Sequence, residues 1–440
     1  MRPATQPRDR RSEARLLVLP AADEATQATT DVPIDAATDA ATDAPIDARA
    51  ADLPRFLRPG DLLVVNDAAT LPAALHGVGP SGEAIELRLL GPALGPTPDQ
   101  TQGQAPSHAS IQAQGQTQGS PESTIRSVTR DAATTSPGTD EVWTTVLFGS
   151  GDWRTPTEGR PAPPVLVPGD RLRFAPRGGT NGSAPVLLHA EVVRVSAHSP
   201  RLVDVRFVER GAAFLSALYA LGRPIQYSYL SDDLDLWSVQ TVYSARPWAA
   251  EMPSAGHPLS WEILLALRKR GVELAWLTHA AGISSSGDAD LDRLLPLPER
   301  YDLPDLTVAA IDRTRRRGGR VVAVGTTVVR ALEGAERQAR SMGRPVGSLR
   351  AGVGVTDLRL SAQTPLHVVD GLLTGMHGPG ESHFDLLSAF APIDSLHAAW
   401  QHATQTGYRC HEFGDLCLLW TRTNPGADAQ PAPRAKITSG

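Results

Sequence analysis

Residues 323–335 read AVGTTVVRALEGA, in which an apolar run meets a helical repeat through one glycine and two hydroxyls. Gly325 lets the backbone turn tightly at a strand end. Thr326 or Thr327 is placed to cap the helix, and the free N–H groups of its first turn suit a carboxylate or a phosphate. Arg330 falls about one turn further on, where its planar guanidinium offers a bidentate contact. The same junction also reads as nothing more than a capped helix. It is not a phosphate-cradling P-loop, because the glycine-rich run and its lysine are missing.

Two histidines stand at comparable places. His279 follows the apolar run VELAWLT, and His377 lies in TGMHGPG, residues 374–380, too broken by glycine and proline to be helix interior. Imidazole gives and takes protons near neutral pH, so either suits acid–base work. His279 reads equally well as a hydrogen-bonded core histidine. Asp232, Asp233 and Asp235 read as a turn and cap cluster. Nothing has metal-ligand spacing such as HExxH or CxxC, so no metal is expected.

The elements around these residues predict how they are positioned. GDLLVVND, residues 60–67, is a strand entering a turn, and AIELRLL, VWTTVLF, RLRF, LLHAEVVRVS and LVDVRF are short strands between Gly and Pro breaks. Such spacing suggests a small barrel or sandwich over residues 74–210. From residue 211 strands and helices alternate, the signature of a parallel sheet with covering helices. PLSWEILLALRKRG is a helix with Ser260 as N-cap and Trp261, Leu264, Leu265 and Arg268 at helical spacing. VVRALEGAERQAR is a helix with Val328, Leu332, Ala335 and Ala339 on one face. Ligands of parallel sheets bind outside the carboxyl ends of the strands. His279, the Gly-Thr-Thr junction and the His377 segment all fall at such ends.

The chain of 440 residues is long enough for two or three domains. The parts expected are residues 1–73 as the start of the α/β domain, 74–210 as the barrel, 211–425 as the main α/β domain and 426–440 as a disordered tail. Residues 22–52, small and acidic, and 91–140, rich in Gln, Ser, Thr and Gly, read as disordered insertions. A net charge of −6 argues against a generally sticky nucleic-acid binder and leaves room for a local basic face. Only two cysteines, Cys410 and Cys417, occur, so no disulfide framework is expected and a reducing cytoplasm is. The basic N-terminus lacks a signal-peptide core, and no apolar stretch reaches a membrane span.

In order along the chain, SEARLLVL, GDLLVVNDAATLPAALHG, VQTVYS, AVGTTVVRALEGA, VVDGLLTGMHGPGESHFDLLSAF and GYRCHEFGDLCLL resemble successive motifs of one family. It is the S-adenosylmethionine:tRNA ribosyltransferase-isomerases of queuosine biosynthesis. The resemblance spans nearly the whole chain outside the two insertions. It implies a larger α/β domain, with a parallel sheet built from both chain ends, and an inserted small β-barrel domain. The family transfers the ribosyl part of S-adenosylmethionine to 7-aminomethyl-7-deazaguanine at the wobble position of tRNA. Epoxyqueuosine forms, and adenine and methionine leave. The resemblance therefore implies S-adenosylmethionine as co-substrate, tRNA as partner, no metal, no membrane, and a cytoplasmic monomer. It puts Asn66, Asp67, Gly325, Thr326, Thr327 and Arg330 on the cofactor or tRNA. His279 and His377 become the proton-transfer candidates, and Tyr243, Glu299, Thr374 and Pro379 the substrate contacts. In that family setting, RTRRRGGR, residues 313–320, is either a solvated helix end or a tRNA phosphate contact.

The departures fall at polar positions. Ala68 and Ala69 stand where the family has Thr-Arg. PSAGHPLS moves the family's histidine by one place, to His257, and THAAGISS keeps His279 but loses two glycines. Gly375, Gly380 and Glu381 replace an Asn, a Lys and a Ser, and Glu381 puts a negative charge near phosphate-rich RNA. An inactive or repurposed paralogue that binds tRNA or a nucleoside is the alternative these losses suggest.

Overall fold

The computed structural model describes residues 1–20, 44–94, 141–176 and 187–421. Its centre is a nine-stranded sheet in the order Gly352–Thr356, Glu299–Leu303, Glu273–His279, Leu62–Asn66, Val321–Val324, Gly371–Gly375, Leu416–Trp420, Arg15–Val18, Ile46–Arg49. From Glu273–His279 to Gly371–Gly375 neighbouring strands are parallel. The flanking pairs are antiparallel except Leu416–Trp420 on Arg15–Val18, so the sheet is mixed where a parallel one was expected. Every residue of Leu62–Asn66 and Val321–Val324 is buried, as strands covered on both faces must be. Alternation divides their side chains. Leu62, Val64, Val321 and Ala323 pack with Ile311, Val328 and Leu332 of two helices, Asp305–Arg316 and Thr326–Ser341. Leu63, Val65, Val322 and Val324 pack on the other face with Ile263, Leu264 and Leu267 of the helix Trp261–Lys269.

A closed six-stranded antiparallel barrel forms the second body, from Leu188–Val195, Leu202–Phe207, Val142–Phe148, Ala84–Pro92, Ala74–Val78 and Arg171–Phe174. Leu75, Leu87, Leu147, Phe174 and Val205 fill it. The larger α/β domain drawn from both chain ends and the inserted barrel are thus both present.

Several local expectations need correction. Within the stretch read as a disordered insertion over 22–52, Ile46–Arg49 pairs with Arg15–Val18, and the 3-10 helix Ala50–Phe56 buries Ala50 and Leu53. Residues 21–43 lie outside the described residues. Of the 91–140 stretch, Gly91 and Pro92 belong to a barrel strand, and 95–140 lie outside the described residues, as does the expected tail at 426–440. The helix Gly211–Leu221, assigned to the main α/β domain, packs Phe214, Ala217 and Leu218 into the barrel core, with Phe214 against Trp143 and Phe207. On the helix Trp261–Lys269 the buried positions are Ile263, Leu264 and Leu267, whereas Trp261 and Leu265 are exposed and the Ser260 side chain makes no cap bond. Among the described residues no helix is long and apolar enough to cross a membrane.

Candidate functional site

The parallel strands end at Asn66, His279, Val324 and Gly375, and the polar residues gather there. Gly325 has φ +88°, a conformation open to glycine and costly for other residues, and it is itself the N-cap of the helix Thr326–Ser341. No side chain caps that helix, so the expected capping by Thr326 or Thr327 does not occur. Thr327 instead turns to the neighbouring strand, where Asn66 Nδ2 donates to its Oγ1 at 3.3 Å.

Asn66 is a buried tie between strand ends. Its Nδ2 also donates to the His279 carbonyl at 3.0 Å, and its Oδ1 accepts from the His279 and Ala68 amides at 2.9 and 3.0 Å. Asp67 accepts from the Thr278 hydroxyl at 2.5 Å. Burial, and then the charge of Asp67, push the Tyr243 phenol up from its ordinary value. Tyr243 lies against Gly256 so closely that a Cβ there would sit 2.0 Å from its hydroxyl.

Beneath this layer lies a buried trio. Arg330 pairs with Glu299 through Nη1 and Oε2, and its Nε donates to the Leu358 carbonyl at 3.0 Å. Its Nη2 has no partner. Glu299 Oε1 accepts from the Gly282 amide at 2.7 Å, and its Oε2 lies 3.4 Å from His279 Nε2. His279 has no exposed surface, and neither ring nitrogen is hydrogen-bonded. Burial, reinforced by the Arg330 charge, holds its pKa well below the ordinary value, so the ring is neutral. Burial raises the Glu299 carboxyl and Arg330 opposes the rise. Arg330 is therefore held mainly by protein groups, where a ligand-facing fork was expected. Glu299 also borders a cavity of about 220 Å³ between the barrel residues Leu90 and Thr144 and the segment carrying Gly282 and Ile283.

His377 occupies the next strand end. Thr374 Oγ1 and His377 Nε2 are hydrogen-bonded at 3.1 Å, and His377 Nδ1 lies 3.6 Å from Glu381. Its ring stacks on His383 at 4.8 Å. Burial, and then the charges of His377 and Arg330, push His383 down to about 3. Pro379 is exposed in the turn beyond.

The structure thus brings Asn66, His279, Glu299, Thr327 and Arg330 together, with Asp67 and Thr278 beside them and Thr374 with His377 one strand away. Thr278 and His383 were missed. Thr278 is buried between buried Leu277 and His279 and so breaks the alternation that would mark its face, and His383 lies in the first turn of the helix Ser382–Leu387, whose packing no local pattern reveals. The shifted His257 faces elsewhere, its Nε2 at 3.1 Å from the Ser238 carbonyl and its ring edge-on to Phe413. Of RTRRRGGR, Arg320 pairs with Asp61 and Arg315 bonds the carbonyls of Gly347 and His367, so part of that run ties elements together. Among the described residues no group of three or more His, Cys, Asp or Glu side chains is placed to hold a metal ion.

Comparison with known proteins agrees with the motif order. The family described as queuosine biosynthesis protein matches residues 2–419. An S-adenosylmethionine:tRNA ribosyltransferase-isomerase of Methylorubrum extorquens is 30% identical over 392 residues, 86% of this chain and 88% of the relative. One from Burkholderia mallei is 36% identical over 251 residues, 56% of this chain and 69% of the relative. The crystal structure of an S-adenosylmethionine tRNA ribosyltransferase from Thermotoga maritima is 21% identical, with a TM-score of 0.42 over 94% of this chain and 95% of that one. On the strength of the match across residues 2–419, the chain belongs to the queuosine biosynthesis protein family.

Proposed function

We propose that this chain transfers and isomerises the ribosyl moiety of S-adenosylmethionine onto 7-aminomethyl-7-deazaguanine at the wobble position of tRNA, releasing adenine and methionine. The observation that carries the reading is a set of polar groups without protein partners at one strand-end cluster. They are the uncapped helix start at Thr326 and Thr327 and, buried behind it and not reaching a ligand themselves, Arg330 Nη2 and both ring nitrogens of His279. Such groups are costly to leave unpaired and suit a polar, charged substrate.

The first-turn amides of the helix Thr326–Ser341 are the seat for an anionic group, the substrate carboxylate or an RNA phosphate. Asn66 fixes Thr327 and the His279 backbone beside that seat. His377, with a side chain 20% exposed, is the proton-transfer residue that reaches substrate. His279, with no exposed surface, acts through Glu299 at 3.4 Å, and Arg330 holds the Glu299 carboxylate in place. Tyr243 and Pro379 line the approach, and the buried Thr374 acts by fixing His377 through their hydrogen bond at 3.1 Å. We place the reaction in the cytoplasm, on a single chain and without a metal.

A second reading, a repurposed paralogue that binds tRNA or a nucleoside without the chemistry, is favoured by one observation. Ala68, where the family has a hydroxyl, is buried against Ala249 and Ala281, an apolar patch that offers no hydrogen bond. The two readings separate in one assay. Purified protein is incubated with S-adenosylmethionine and tRNA bearing 7-aminomethyl-7-deazaguanine, and released adenine is quantified by chromatography. Adenine at about tenfold above the enzyme-free blank, dependent on tRNA, supports the enzyme. Blank-level adenine from folded protein refutes it.

A further inference from the structure

Beside His377 the chain builds an aromatic column. Tyr227 stacks on Tyr229 with centroids 6.0 Å apart and an interplanar angle of 16°, and Tyr229 stacks on His411 at 4.2 Å and 17°. The lower rings are pinned by their hydroxyls, Tyr227 donating to Glu251 and Tyr229 to Glu412. The upper ring, His411, is exposed. Its backbone is in the left-handed region at φ 68°, and it is alone among the described non-glycine residues in that. Such a conformation costs free energy and persists where the surroundings enforce it. Here they do. The Gly414 amide donates to the His411 carbonyl at 2.9 Å. Asp415 holds the turn by accepting from the Arg409 and Arg15 amides at 2.8 and 2.7 Å and from Arg8 at 2.5 Å.

A second observation adjoins the first. Arg2 and Arg409 are register partners in the parallel pair Arg2–Pro3 and Arg409–Cys410, which runs directly into His411. Both are exposed, and neither side chain has a carboxylate partner among the described residues. An exposed ring on a rigid stack, flanked by two free guanidiniums, is the combination by which proteins hold single-stranded nucleic acid, through base stacking and phosphate attraction.

We infer that His411 is a stacking platform for an unstacked base of the RNA substrate, with Arg2 and Arg409 on the adjoining phosphates. This rests on the proposed function, since it places the platform next to His377 on the same substrate. A flat heteroaromatic ring could come from either tRNA or S-adenosylmethionine, and the inference commits to the tRNA.

The test measures equilibrium binding, without turnover. His411→Gly removes the ring and keeps the left-handed turn, because glycine adopts positive φ freely. His411→Tyr keeps an aromatic ring. Binding of 7-aminomethyl-7-deazaguanine tRNA is expected to weaken about tenfold in His411→Gly and to return in His411→Tyr, with S-adenosylmethionine affinity unchanged by calorimetry. Arg2→Ala with Arg409→Ala should weaken binding and lower the salt slope of log K by about one to two. Equal tRNA affinity for wild type and His411→Gly overturns the inference and leaves the proposed function standing. Loss of S-adenosylmethionine affinity alone assigns the ring to the adenine and overturns it too. Failure of the wild-type protein to bind tRNA removes the underlying reading, and the inference with it.

Discussion

The Glu299–Arg330 pair offers the sharpest prediction about how the site is held together. Both side chains are almost fully buried, at 9% and 5% exposure. In Glu299→Gln the amide oxygen can still accept from the Gly282 amide, so the main change is a buried guanidinium without its countercharge. Removing one partner of such a pair costs about 3–5 kcal/mol. Arg330→Met leaves a buried carboxylate in the same position and should cost a similar amount. Neither partner is left charged and alone in the double variant, so its loss should not exceed the larger single loss. The resulting coupling is at least about 3 kcal/mol, read by urea unfolding in a double-mutant cycle. Single losses below about 1 kcal/mol that simply add in the double variant would refute the buried pair, and with it the idea that Arg330 positions Glu299 for His279.

Other expectations follow from the same geometry. His377→Asn should lower the turnover rate about a hundredfold or more while unfolding stability stays within about 0.5 kcal/mol, because the side chain is partly exposed and off the core; an unchanged rate assigns the proton transfer elsewhere. Gly256→Ala puts a Cβ 2.0 Å from the Tyr243 hydroxyl, so the ring must move. A stability loss of about 1–3 kcal/mol should appear in urea melts. His257 is pushed down to about 3 by burial and then by the Arg11 charge. The unfolded chain therefore binds the proton more tightly between about pH 6.5 and 3, and stability falls as pH drops through that window, by at most about 1.4 kcal/mol per unit. His383, also near 3, acts with the same sign, so His257→Gln should reduce the acid slope of urea melts without abolishing it.

What the sequence disclosed followed from local rules. The runs at Leu62–Asn66 and Val321–Val324 are apolar throughout because both faces are covered, and a glycine at the end of the second forces the turn. Strand ends bearing Asn66, His279, Gly325 and His377 could therefore be found before any contact was known. Partners could not. The carboxylate that meets Arg330 lies 31 residues away on an antiparallel strand, and its Oε2 faces His279 as well. The register that joins Arg2 to Arg409 spans almost the whole chain. Ile46–Arg49, with its largely exposed side chains, looked like part of a polar insertion because its stability comes from backbone pairing to Arg15–Val18. Thr326 and Thr327 looked like caps because hydroxyls at helix starts usually are. Gly325 took that position, and Thr327 bonded across to Asn66.

The central claim is that this strand-end cluster carries out ribosyl transfer and ring rearrangement on tRNA. The most direct measurement is the mass of the wobble nucleoside, taken from tRNA bearing 7-aminomethyl-7-deazaguanine, digested after incubation with the protein and S-adenosylmethionine. The account predicts the mass of epoxyqueuosine with the wild-type protein and a sharply reduced yield with His377→Asn. An unmodified 7-aminomethyl-7-deazaguanine nucleoside from folded wild-type protein, under conditions where a family member converts it, would contradict the account.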